Sequence, residues 1–217
     1  MGMLNSFKRS FILLSLFCFC MISCSVSRLG WKDLESKEPS IHSTTFVKEG
    51  GVNKLVYYFL PERKSAEKVP AIIFYHGGAW TGGTASTFFP HAAYYAQHGM
   101  ASFSVDYRLL NSEAKDITQC ISDAQKALAF ICEQADEMGI DTTRLILCGE
   151  SAGGHLAASA YLNHSSPQNI KALLLLNPVL DFNTAVFLPY MDGSLVGKSS
   201  RKLSLDSLSL LHSAKAR

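Results

Sequence analysis

Ser151 stands in the pentapeptide Gly149-Glu150-Ser151-Ala152-Gly153, which fits the pattern G-x-S-x-G. A serine hydroxyl attacks a carbonyl carbon only when a base takes its proton and donors receive the charge that develops on oxygen. The surroundings of Ser151 suit that task. The apolar run 144–148 precedes it and the small-residue run 154–160 follows it. That is the pattern of a strand turning sharply into a helix, which lifts the hydroxyl above the sheet edge. The N–H of Ala152 then points toward the same spot, and the helix start adds the positive end of its dipole.

A second signal lies roughly seventy residues upstream, counted on the positional logic of the same motif class. His76-Gly77-Gly78-Ala79-Trp80 follows another apolar run, 69–75. A loop that aims backbone amides at a substrate oxygen has no room for bulky side chains, so paired glycines suit it. Gly77, Gly78 and Ala152 are therefore the candidate oxyanion-hole donors, each typically worth about 10²–10³ in rate. The chemistry these residues describe is acyl transfer from an ester to Ser151. His76 reads as a residue that orients this loop by hydrogen bonding, and Trp80 as packing more than substrate contact. His155 is four residues after Ser151 on a similar helix face. The elbow throws the serine away from the helix body, so His155 reads as packing and not as the base. His42, His91, His98 and His164 show no partner pattern.

The elements that must position these groups alternate. Residues 55–60, 69–75, 100–107, 144–148 and 170–176 read as strands, the apolar runs being of the buried parallel kind. Residues 87–97, 114–138 and 152–162 read as helices. The best of them repeats Ile117, Cys120, Ile121, Ala124, Ala127, Leu128 and Ile131 at three- and four-residue spacing. Alternating strands and helices predict an α/β fold with a mostly parallel central sheet flanked by helices. After Asp181 the pattern weakens, and 192–209 is rich in Ser, Gly, Lys and Leu with no clean period.

With 217 residues, 47% hydrophobic and 18% charged, the chain has enough material for one domain with a core. No Lys/Arg run or basic stripe points to nucleic acid, and no Cys/His cluster has zinc spacing. No cofactor or metal is called for. Lys8 and Arg9 followed by the apolar run 11–22 read as an export signal. The run ends in Met21-Ile22-Ser23-Cys24, which resembles the box that precedes a lipidated cysteine in bacterial lipoproteins. The expected organisation is a lipoprotein-type signal peptide at 1–23, a tether at 24–45 carrying lipid on Cys24, and the catalytic domain at 46–217. The expected location is the bacterial cell envelope, with ordinary cleavage and a periplasmic or secreted product as the other reading. The 20 basic residues less Lys8 and Arg9 leave 18, against 18 acidic ones, so the processed protein is formally neutral. Cys120 and Cys132 fall on one helix, roughly 18 Å apart at helical rise and too far to bridge.

The motif residues resemble the α/β-hydrolase fold, and more narrowly the hormone-sensitive-lipase-like and bacterial feruloyl-esterase-like carboxylesterases. The resemblance rests on 76–80, Val105-Asp106-Tyr107-Arg108-Leu109, the helix holding Asp123-Ala124, and 149–158. It implies Ser151 as nucleophile, Gly77, Gly78 and Ala152 as oxyanion donors, and Asp106 and Arg108 as structural ties. It implies substrates with short acyl groups, among them acetyl or feruloyl esters on polysaccharide. In the family the acid and histidine follow later strands, and this sequence shows no such run after Asp181. The expectation is thus an α/β-hydrolase fold lacking the last strands, with weak or no activity. Asp181 is the candidate acid and His212 the candidate base. A non-catalytic envelope lipoprotein and a serine peptidase of the same fold are the alternative readings.

Overall fold

The computed structural model describes residues 39–62, 65–110, 112–182 and 210. Cys24 and His212 lie outside the described residues, as does the signal segment. Six strands form one sheet: β1 (His42–Glu49), β2 (Val52–Phe59), β3 (Val69–Tyr75), β4 (Ala101–Val105), β5 (Ile140–Glu150) and β6 (Ile170–Leu176). Their order across the sheet is β1-β2-β4-β3-β5-β6. β1 pairs antiparallel with β2, and β2 with β4. From β4 through β3 and β5 to β6 every pairing is parallel. Helices α1 (Phe89–Gln97), α2 (Ile117–Glu133), α3 (Ala135–Met138) and α4 (Ala152–Leu162) complete the layers.

The central strands β3 and β4 are buried on both faces, which is why β3 reads as a continuous apolar run. Ile72 and Phe74 point into one cluster with Phe88, Ala92, Ala93 and Ala96 around α1. Ala71, Ile73 and Tyr75 point the other way, into a larger cluster with Ile117, Leu128 and Ile131 of α2 and Leu156 of α4. Burying each such aliphatic side chain contributes about 1.5–3 kcal/mol before entropy is counted. Asp116 caps α2 by accepting from the Thr118 N–H at 3.0 Å.

Several boundaries differ from the sequence expectation; β2 begins at Val52 and not at 55, and β4 ends at Val105 and not at 107. The stretch read as tether to residue 45 contains the start of β1, because a Gly50-Gly51 turn with φ of 60° and 82° folds 42–49 back onto β2. The helix expected at 114–138 is broken at Gln134 and ends at Gly139 in the left-handed conformation. β5 begins at Ile140, which pairs with Val69, and not at 144; the polar residues 141–144 that follow have no β3 partner. Among the described residues β6 is an edge strand, and Leu174 and Leu176 on it are 39% and 50% exposed.

Candidate active site

Ser151 occupies the junction of β5 and α4 with φ 51° and ψ −114°. A non-glycine residue holds such a conformation only where its surroundings enforce it. Three backbone bonds do so. The Ser151 N–H donates to the Leu176 carbonyl at 2.8 Å, and the Ser151 carbonyl accepts from His155 N–H at 3.2 Å and Val179 N–H at 3.3 Å. The glycines around it are packed too closely to carry a side chain. A β-carbon on Gly149 would stand 2.1 Å from the Gly153 carbonyl oxygen, and one on Gly154 2.8 Å from the Pro178 side chain.

Gly153 joins the elbow to the second motif. A β-carbon there would meet the carbonyl oxygens of Tyr75 at 2.0 Å and His76 at 2.5 Å. Gly77 lies against the Glu150 carbonyl, which a β-carbon would approach to 3.2 Å. The loop carrying Gly77 and Gly78 is thereby set beside Ser151. It is tightly folded: Thr81 and Gly82 N–H groups both donate to the Gly78 carbonyl, at 3.0 and 2.9 Å. Gly78 takes φ 117°, and Ala79 and Trp80 take 52° and 60°. The N–H groups of Gly77, Gly78 and Ala152 donate to no described carbonyl outside the regular elements. Such amides at the end of a strand and the start of a helix are suited to receive an oxyanion.

His76 performs the orienting task expected of it. Its Nδ1–H donates to the Gly77 carbonyl at 2.8 Å, and its ring stacks on Tyr107 with centroids 4.2 Å apart. Burial pushes its pKa below the ordinary value; the Gly77 bond and the Asp106 carboxylate act upward, and the Lys54 cation downward. Trp80 is buried and packs on His155 and Phe182, with ring centroids 5.4 and 5.5 Å away. His155 is itself fully buried against Phe182, which agrees with its reading as packing.

Asp106 and Arg108 make the structural ties that the resemblance implies. Arg108 donates from Nε at 2.8 Å, Nη2 at 2.5 Å and its backbone N–H at 3.0 Å to the fully buried carboxylate of Asp123. That fork joins the segment after β4 to α2. Asp106 pairs with Lys54 at 3.3 Å. Asp181 is half-buried, two residues beyond Val179 and its bond to Ser151. Among the described residues none hydrogen-bonds to the Ser151 hydroxyl. Sequence reasoning missed Lys54, Glu113 and the Tyr107 hydroxyl, which donates to the His76 carbonyl at 2.7 Å. An inward-facing lysine in an otherwise apolar-patterned strand was the available signal. The sulfurs of Cys120, Cys132 and Cys148 are free thiols.

A strained serine between a parallel strand and a small-residue helix, facing a glycine loop in a mostly parallel sheet, defines an α/β-hydrolase fold. Residues 57–187 match the BD-FAE family model, and the chain belongs to that family. An AB hydrolase superfamily protein of Schizosaccharomyces pombe is 36% identical over 123 residues, which are 54% of this chain and 35% of that protein. Carboxylesterase NlhH of Mycobacterium tuberculosis is 37% identical over 93 residues, 42% of this chain and 28% of the relative. The match thus spans about a third of these curated relatives. Among solved structures, Thermogutta terrifontis esterase 2 phosphoramylated by tabun aligns at TM-score 0.66 and 26% identity, covering 82% of this chain and 67% of that one. Its butyrate-bound form aligns at TM-score 0.63 and 27% identity, covering 80% and 67%.

Proposed function

We propose that the chain carries the nucleophilic half of a serine carboxylic-ester hydrolase acting on short-acyl esters. The observation that carries this reading is the Ser151 elbow, held at φ 51° while Gly153 seats it against the end of β3 beside Gly77 and Gly78. Ser151 Oγ attacks the ester carbonyl carbon, and its proton passes to a base and then to the departing alcohol. Water repeats the sequence on the acyl-enzyme and releases the acid. Gly77, Gly78 and Ala152 N–H groups receive the oxyanion in both steps. Asp181 and His212 are the chain's own candidates for acid and base. The butyrate- and propionate-bound forms of the structural relative support a short acyl group. Acetyl or feruloyl esters on polysaccharide are the finer substrate proposal.

The test is a p-nitrophenyl ester series beside Ser151→Ala. Acetate and butyrate should be hydrolysed weakly but in a Ser151-dependent way, and octanoate more slowly still. Rates equal to those of the alanine variant would sink the proposal and favour a non-catalytic role. Export with lipid on Cys24 belongs to the same proposal. An intact mass beginning at Ser25 or later, without an acyl group, would overturn it.

A further inference from the structure

β2 carries a lysine at an inward register position. Lys54 is 5% exposed, and its Nζ donates to Glu113 Oε2 at 2.7 Å and Asp106 Oδ2 at 3.3 Å. A buried ammonium persists only with such partners. Both carboxylates belong to the segment 106–114 between β4 and α2. That segment is folded around them. Leu109 N–H donates to Glu113 Oε2 at 3.2 Å, and the N–H groups of Glu113 and Ala114 donate to the Leu109 carbonyl at 2.9 Å. The same segment also touches the glycine loop at two points. The Tyr107 hydroxyl donates to the His76 carbonyl at 2.7 Å, and Leu110 N–H donates to the Trp80 carbonyl at 2.9 Å. His76 and Trp80 flank Gly77 and Gly78.

We propose that Lys54 is a positioning residue for the oxyanion loop. By holding Asp106 and Glu113 it sets the 106–114 segment, whose Tyr107 and Leu110 then fix the loop on either side of Gly77 and Gly78. The loop needs an outside brace because Ala79 and Trp80 both sit in the left-handed region, where non-glycine backbone is strained. A lysine that merely fastened β2 into the sheet would act on β1 and β2 instead. The catalytic meaning of this brace rests on the oxyanion reading above, but the brace itself is measurable without turnover.

Hydrogen–deuterium exchange by mass spectrometry on the full chain provides the test. Lys54→Met should speed exchange about tenfold in peptides covering 76–83 and 106–114, the scale of one charge-assisted contact. Peptides covering 42–59 and 152–162 should keep their protection. Glu113→Gln keeps an acceptor for the Leu109 N–H but removes the charge, so it should give the same pattern more weakly and guards against a misfolded methionine variant. Lys54→Arg should restore protection at 76–83. Loosening confined to 42–59, loosening spread evenly over the sheet, or an unchanged 76–83 would overturn the proposal. Should Ser151-dependent hydrolysis fail while this exchange pattern holds, the brace stands and the esterase reading falls.

Discussion

Gly153 lies so near the end of β3 that a β-carbon on it would stand 2.0 Å from the Tyr75 carbonyl oxygen. No side chain moves aside to relieve that contact, since the obstacle is backbone on a central strand. Gly153→Ala must push α4 or β3 away, at a cost of about 3 kcal/mol. Gly82→Ala is the control: its β-carbon would meet only the Gly78 carbonyl, at 3.9 Å. Urea unfolding of the two variants should show a large loss for the first and a small change for the second.

The backbone of Ser151 yields a second prediction. At φ 51° and ψ −114° a side chain is strained, while glycine is not. Both Ser151→Gly and Ser151→Ala remove the hydroxyl. The glycine variant should unfold at higher denaturant than the alanine variant, by about 1 kcal/mol. At ordinary helical positions the order is the reverse. Equal midpoints would mean that the elbow stores no strain.

Acidification should weaken the fold through His76. The unfolded imidazole titrates near pH 6.5, while burial depresses the folded value. Between the two values the unfolded chain binds more protons, so stability rises with pH there and falls as pH drops below about 6.5. Above that value both states are neutral and the contribution is flat. His91 and His164 are depressed by burial too and act in the same direction. Denaturation midpoints measured from about pH 7.5 to about pH 5.5 should therefore fall, and His76→Gln should flatten that slope. An unchanged slope would show that His76 is not the sensor.

The elbow and its helix were legible because each glycine there has no substitute. Small residues at 152–162 and leucines at 170–176 also left little choice of element, and both spans match α4 and β6. β1 was hidden because its sequence is polar and its residues mostly exposed, leaving no apolar period to read. The Lys54 brace was illegible for a different reason. Its Asp106 partner is 52 residues away, and only the antiparallel pairing of β2 with β4 brings them together. The resemblance placed Asp106 among residues that tie the sheet to its neighbours, without naming Lys54 as its partner.

β6 presents Leu174 and Leu176 at the edge of the described sheet. Burial fades along the register row Phe74, Cys148, Leu174 as the cover of α1 ends. Exposed leucines on the outermost described strand invite contact between chains. Light scattering should show the apparent mass of the purified chain climbing with concentration, and Leu174→Lys should reduce that climb. Identical behaviour of the two would place the self-association elsewhere.

The central proposal is that Ser151 is the nucleophile beside an oxyanion hole. Its most direct test is the intact mass of the full chain after exposure to paraoxon, run beside Ser151→Ala. The account predicts one phosphoryl group per chain, mapped to Ser151, and none on the alanine variant. An unmodified chain, or equal labelling of both proteins, would contradict it.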